Sequence, residues 1–254
     1  MNSSNLMPGA EPISIERGEI GMLFFHGFTG SPYEARDFSS YFAKQGYSIS
    51  VPLLPGHGTR PDDLMNTKWQ DWYLFAESEY FVLKKKLKSV ILVGQSMGGS
   101  LALSLAAHHS IDAVVSLAGA VFLKDWRLRL LPIAKKLLNY QYKSKGPDVS
   151  LKEVKKNSAS YHKYPIKSIE EFLNLLKFTK KNLNLIKDPL MLIHSKRDHT
   201  VTYENLDYIF NNVSSVIKNK ITLQNSYHII SLDQEKTAVF QNIFNFLKEL
   251  HLIP

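Results

Sequence analysis

The sequence predicts an α/β architecture, a mostly parallel central sheet with helices on both faces and a smaller helical segment inserted late in the chain. Three observations carry this. Short branched apolar runs alternate with longer amphipathic or Ala/Leu-rich segments between residues 21 and 119, the rhythm of strands joined by crossover helices. The junction Gly94-Gln95-Ser96-Met97-Gly98-Gly99 links the run Ser89-Val90-Ile91-Leu92-Val93 to Ser100-Leu101-Ala102-Leu103. A G-x-S-x-G pattern between strand and helix is a tight turn that lifts a serine out of the sheet. The rhythm then stops between residues 120 and 187 and resumes with two further strand and helix pairs.

Taken in order, residues 12–16 alternate briefly, as a short strand would, and Gly21-Met22-Leu23-Phe24-Phe25 reads as a buried strand. Two glycines and a proline make His26-Gly27-Phe28-Thr29-Gly30-Ser31-Pro32 a loop. The spacing of Phe38, Tyr41 and Phe42 predicts a helix over 33–45, with Gly46 as its stop. A strand over 47–51 leads into the turn-rich Pro52-Leu53-Leu54-Pro55-Gly56-His57-Gly58. Trp69, Trp72, Phe75, Tyr80 and Leu83 recur at three- and four-residue steps, so 68–86 is an amphipathic helix. The strand at 89–93 and its helix to about residue 109 follow, then a buried strand over 113–119. After the insertion come a strand over 189–194, a helix over 204–211, a strand over 220–223 and a helix over 233–250.

At 254 residues the chain suits one α/β domain able to bury a sizeable core. We divide it into a core of residues 1–120 and 188–254 and a helical cap, or lid, of residues 121–187. The formal charge of +8 is uneven: residues 121–187 hold 16 Lys/Arg against 5 Asp/Glu, a net of +11, while the remainder is slightly acidic. Such a segment is either a solvated helical face or one that meets anionic surfaces such as lipid head groups. Nucleic acid is a weak candidate, because no recognition motif accompanies the charge. Cysteine is absent, which excludes disulfides and thiolate metal sites. The first dozen residues lack a basic and apolar leader, and no apolar run reaches the roughly 20 residues of a membrane span. The expectation is a cytoplasmic monomer or homodimer needing no cofactor and no metal.

A serine hydroxyl is a weak nucleophile and needs a base, itself oriented by a third group. Asp198 follows the strand that ends at His194, and His228 follows the strand that ends near Leu223. Both fall at the carboxyl ends of strands, the edge where Ser96 emerges and where open α/β sheets hold their sites. The chain order serine, acid, histidine has His228 take the Ser96 proton while Asp198 fixes the imidazole. Asp188 and Asp233 are the fallback acids, and His194 and His199 read as loop or core residues. A tetrahedral intermediate needs two N–H donors, for which the amides of Met97 and Phe28 are placed.

The motifs HGFTGSP at 26–32, PGHG at 55–58, GQSMGG at 94–99, RD at 197–198 and SYHIISLDQEK at 226–236 span almost the whole chain. Together they resemble the small bacterial carboxylesterase and monoacylglycerol lipase family of α/β-hydrolases. The resemblance implies a serine esterase with a small helical cap, acting on short- to medium-chain carboxylic esters or monoacylglycerols. It implies the same triad, Ser96, Asp198 and His228, and the same oxyanion donors, Phe28 and Met97. The chain departs from the family pattern at Tyr227, where glycine is frequent; a ring there would narrow the leaving-group side. Two other readings share the scaffold: a non-catalytic ligand receptor, and an enzyme of different chemistry such as a carbon–carbon bond hydrolase or a perhydrolase. An intact triad favours turnover, and Ser96 argues against a dehalogenase, which needs a carboxylate there.

Overall fold

The computed structural model describes residues 6–143 and 146–254. Seven strands form the central sheet: β1 (Ile13–Ile15), β2 (Ile20–Phe25), β3 (Ser48–Val51), β4 (Ser89–Gln95), β5 (Ala113–Leu117), β8 (Leu190–Ser195) and β9 (Lys218–Leu223). Their spatial order is β1-β3-β2-β4-β5-β8-β9. All neighbours pair in parallel except β1, which lies antiparallel to β3 with Ile13 opposite Val51. A separate pair, β6 (Tyr140–Tyr142) with β7 (Lys163–Pro165), belongs to the insertion.

The helices are α1 (Arg36–Lys44), α2 (Pro61–Met65), α3 (Trp69–Lys84), α4 (Met97–Ala106), α5 (Leu131–Leu137), α6 (Lys152–Asn157), α7 (Ile166–Asn182), α8 (Glu204–Asn212) and α9 (Lys236–Glu249). Side chains alternate across each strand, so both faces of the sheet can be covered. Leu23, Phe25, Val90 and Leu92 join the cluster that contains Trp72, Leu101, Phe172 and Leu206, on the side of α3, α4, α7 and α8. Met22, Phe24, Ile91 and Val93 join Phe38, Phe42, Phe240 and Ile243, on the side of α1 and α9. A strand buried on both faces cannot afford a polar alternation, which is why β2 and β4 read as unbroken apolar runs.

Several boundaries differ from the sequence expectation for local reasons. The helix expected over 33–45 is split: Pro32–Ala35 forms a 3₁₀ turn with proline at its first position, and the α-helix starts at Arg36. The brief alternation at 12–16 does form the edge strand β1. The strand after α4 ends at Leu117, because Ala118 takes a φ of +48° that leaves extended backbone. The last helix begins at Lys236 and not at 233, since the Asp233 carboxylate accepts N–H groups from Tyr227 (2.7 Å) and Ser150 (3.0 Å) and so holds the preceding turns as a loop.

The segment between β5 and β8 is mixed, not wholly helical, because it contains β6 and β7. Its last helix, α7, is anchored in the main core. Phe172, Leu175 and Leu176 are buried against α4, and the Ser104 and Thr179 hydroxyls lie 2.8 Å apart. Among the described residues no helix is long and apolar enough to cross a membrane.

Trp72 is fully buried and donates its indole N–H to the Thr67 hydroxyl (3.1 Å) between α3 and the loop before it. Trp72→Ala is expected to destabilise the fold by about 3–5 kcal/mol, the usual cost of emptying a large aromatic site. Urea unfolding checks this as a lower midpoint at unchanged slope.

Candidate active site

The loop between β4 and α4 is shaped by two close approaches of backbone. A Cβ at Gly94 would stand 2.0 Å from the Gly98 carbonyl oxygen, and one at Gly98 would stand 1.9 Å from that of Phe25. Only glycine fits at either position. Ser96 between them sits at φ +57°, ψ −116°, strained for a residue with a side chain. Its N–H donates to the Leu117 carbonyl (2.8 Å), tying the turn to the neighbouring strand. The side chain is thereby aimed off the carboxyl edge of the sheet.

Two other loops bring their polar groups to the same edge. His228, on the loop after β9, places Nε2 2.8 Å from Ser96 Oγ. Its Nδ1 is 2.7 Å from Asp198 Oδ2, on the loop after β8. The other carboxylate oxygen, Asp198 Oδ1, accepts the N–H groups of Thr200 and Val201, both at 2.8 Å. Burial alone would raise the Asp198 pKa, but the charge of His228 and the hydrogen bonds from His194 and His228 outweigh it. The carboxyl is held well below its usual range. Burial likewise acts to lower His228, and the Asp198 charge and hydrogen bond reverse it, so the imidazole pKa lies above its ordinary value of 6.5.

The sequence reading thus named three residues that the fold brings together, and neither fallback acid joins them. Asp188 precedes β8 and lies at the opposite end of that strand from Asp198; Asp233 organises the loop that carries His228. His194, read as a loop or core residue, lies closer to the site than expected: its Nε2 is 3.1 Å from Asp198 Oδ2 and 3.0 Å from the Val201 carbonyl. Gln95 was not singled out, yet its side-chain amide donates to the His228 carbonyl (2.8 Å) and fixes the loop of His228 to β4. Asp148 of the insertion also went unnamed. Its carbonyl accepts the N–H groups of His228 and Ile229, and its carboxylate accepts the His199 N–H (3.0 Å).

Met97 opens α4, so its N–H has no partner within the helix. The loop of Gly27 and Phe28 passes directly beside it: a Cβ on Gly27 would lie 3.4 Å from Ser96 Cβ. The Phe28 ring stacks on Phe172 and Tyr164, with centroids 5.1 and 6.0 Å away. These rings form one wall of a cavity of about 430 Å³ that contains Ser96 and His228. Leu128 and Ile169 extend the apolar wall, while Glu34, Lys143 and Asp148 supply polar groups. Tyr227 is not part of this lining; its ring packs against His199 (4.5 Å) and under Arg197 (5.2 Å) outside it. A larger cleft of about 880 Å³ runs along β1 and α3, and none of the three residues lines it. Among the described residues no group of three or more His, Asp and Glu is arranged to hold a metal ion.

A buried hydroxyl, an imidazole and an ionised carboxylate in series can activate the hydroxyl as a nucleophile. The comparisons with known proteins agree with that chemistry. The family model described as serine aminopeptidase, S33, matches residues 20–235. The chain is 35% identical over 242 residues, 95% of both chains, to a thermostable monoacylglycerol lipase of Bacillus sp. (strain H-257). It is 26% identical to a carboxylesterase of Bacillus subtilis (strain 168), covering 94% of this chain and 97% of that one. A solved structure of the metagenome-derived lipolytic enzymes LipS and LipT superposes with a TM-score of 0.91 at 28% identity, over 96% of this chain and 99% of that one. The chain therefore belongs to the serine aminopeptidase S33 family of hydrolases and adopts the α/β-hydrolase fold.

Proposed function

We propose that the protein is a serine carboxylic ester hydrolase of the carboxylesterase and monoacylglycerol lipase kind. The observation that carries this is the relay from Asp198 through His228 to Ser96 at 2.7 and 2.8 Å, opening on a cavity with an apolar wall. Ser96 Oγ attacks the ester carbonyl while His228 Nε2 takes its proton, and Asp198 stabilises the imidazolium. The tetrahedral oxyanion is held by the N–H groups of Phe28 and Met97. His228 then protonates the leaving alcohol, and a water activated by the same imidazole releases the acid and restores Ser96. The acyl chain lies along Phe28, Leu128, Tyr164, Ile169 and Phe172, and the alcohol leaves toward the polar side. The ester hydrolases among its relatives support this substrate class over peptides. So does the charge pattern of the cavity: Asp125 is bonded to Arg127 and Asp148 to His199, and Glu34 accepts the Gly27 N–H. A free peptide amino group would find each already partnered.

Residues 121–187 act as the cap over this cavity, rooted by α7. Trp126, at the edge of the cavity, and Leu130, Ile133 and Leu137 are exposed on it, Leu137 by 75%, and are interleaved with Arg127, Arg129, Lys135 and Lys136. Apolar side chains ringed by cations suit a surface of anionic lipid carrying the ester. The protein is taken to act as a monomer or homodimer in the cytoplasm.

Ser96→Ala is expected to abolish hydrolysis of p-nitrophenyl esters and of a 1-monoacylglycerol, and Asp198→Asn to lower kcat by about 10⁴ with little change in KM. Steady-state kinetics on both substrates, beside aminoacyl p-nitroanilides that should turn over far more slowly, measure this; ester hydrolysis surviving without Ser96 refutes the mechanism. Because the neutral imidazole is the working form and its pKa is raised above 6.5, kcat/KM should fall about tenfold per pH unit on the acid side of that pKa. A profile between pH 5 and 9 shows whether the limb lies above that of a free histidine. Monoacylglycerol presented in anionic vesicles should be cleaved faster than in zwitterionic ones, and added salt should remove the difference.

A further inference from the structure

We propose that Glu34 is a positioning residue for the reaction: its carboxylate braces the oxyanion loop from behind, with Lys143 of the insertion as its counter-charge across that loop. The inference rests on the hydrolase reading above and deepens it. Glu34 lies in the 3₁₀ turn that follows the loop, 6% exposed, and its Oε2 accepts the Gly27 N–H at 2.7 Å. That peptide leads directly into the Phe28 amide. Glycine at position 30 is what leaves room for the carboxylate, since a Cβ there would stand 2.0 Å from Glu34 Oε1.

The far side of the loop is held by the insertion. Thr29 takes a φ of +62°, an unfavourable conformation for threonine, and two bonds keep it there. Lys143 Nζ donates to Thr29 Oγ1 (2.7 Å), and the Tyr161 N–H donates to the Thr29 carbonyl (3.0 Å). Ser231, three residues past His228, donates its hydroxyl to the Glu34 carbonyl (2.7 Å) and links the brace to the base loop.

The charges explain why the two residues belong together. Burial pushes Glu34 up to about 7, opposed by the Gly27 hydrogen bond and by the charges of His228 and Lys143. Burial brings Lys143 down to about 8, opposed by Glu34. His228 in turn faces Asp198, Asp148 and Glu34. During attack a negative oxygen forms beside the loop and a positive imidazolium beside Glu34. A lone carboxylate would favour the second and repel the first. The charge of Lys143, bonded to the same loop at Thr29, offsets that of Glu34, so the loop as a whole stays close to neutral and neither developing charge is penalised.

The test compares native protein with Glu34→Ala, Glu34→Gln, Lys143→Met and the Glu34→Gln/Lys143→Met double variant. The readouts are kcat and KM on p-nitrophenyl butyrate and the rate at which a fluorophosphonate labels Ser96, followed by intact mass. Glu34→Ala should lower kcat and the labelling rate by about 10- to 100-fold with KM nearly unchanged, less than outright loss of an oxyanion donor. Glu34→Gln keeps an acceptor for Gly27 and should retain most of kcat, while the acid limb of the pH profile moves to lower pH because one negative charge facing His228 is gone. Lys143→Met should lose about tenfold, and adding Glu34→Gln should restore most of it, a coupling that a double-mutant cycle reads directly. Rates for Glu34→Ala equal to native, or additive effects in the cycle, overturn the proposal. Should Glu34→Ala fail to fold by thermal melting, the glutamine variant and the cycle decide. Native protein that neither labels nor turns over esters refutes the hydrolase reading itself, and the Glu34 assignment with it; normal labelling with no effect of these variants refutes the Glu34 assignment alone.

Discussion

The site depends first on how closely β2, β4 and the start of α4 approach one another. The parallel pairing sets Phe25 opposite Gly94, which puts the Phe25 carbonyl under Gly98 with no space for a side chain. That contact does two things together. It forces the turn in which Ser96 takes a left-handed φ, at a cost on the order of 1–3 kcal/mol. It also makes the chain leaving β2 run past Ser96, so the Phe28 and Met97 amides come from neighbouring segments with no long excursion between them. The strain persists because the surrounding sheet is apolar and covered on both faces, and a packed interior of that kind does not relax around one turn.

Electrostatics then decide what the aligned groups can do. Asp198 is buried, yet it stays ionised because two backbone N–H groups and two imidazoles surround it. An ionised carboxylate on Nδ1 keeps Nε2 available as a proton acceptor toward Ser96. The loops that carry Asp198 and His228 are held in step by Asp148, whose carboxylate and carbonyl each serve one of them. Since Asp148 belongs to the insertion, the segment that walls the cavity also ties the loops of Asp198 and His228 to each other.

Ser96, Asp198 and His228 were legible in the sequence for a topological reason. Each follows an apolar run at a strand's carboxyl end, and a parallel sheet gathers those ends at one edge. The strands were legible because burial on both faces leaves them continuously apolar. Boundaries were less so where a side chain caps a loop, as Asp233 does before α9, or where one residue turns left-handed, as Ala118 does after β5. The supporting residues were not legible at all. Lys143 meets Thr29 across 114 positions of sequence and Asp148 meets His199 across 51, and no periodicity or motif announces such a pair. The strands β6 and β7 are three residues each, Tyr-Gln-Tyr and Lys-Tyr-Pro, too short to show a period. Tyr227 was legible as a departure from the family pattern, but its ring turns to the rim against His199 and Arg197, so its size does not enter the cavity.

The insertion differs along its length in how firmly it is held. α7 shares the main core, and the stretch just before β7 is stitched to the loops of the central sheet. Ser31 donates to the Ala159 carbonyl (2.7 Å), the Tyr161 N–H reaches Thr29 (3.0 Å), and the Tyr161 hydroxyl reaches the Gly56 carbonyl (2.8 Å). In the front of the insertion, from Trp126 to Leu138, Leu128 and Leu131 pack inward with Ile166 and Ile169, while Leu130, Ile133, Leu137 and Leu138 are exposed. A hinge movement of the whole segment would break the bonds to Thr29 and Ser31 and so disturb the loop proposed to bind the oxyanion. The front stretch is tied to α7 instead, through Leu131 packed on Ile166 and Ile169 and through Lys135, whose ammonium lies 2.7 Å from the Glu170 carboxylate. Local stability in such a fold follows buried contact, and here the front of the insertion gains it from α7, while the stretch before β7 gains it from the loop of Thr29 and Ser31 that passes Ser96.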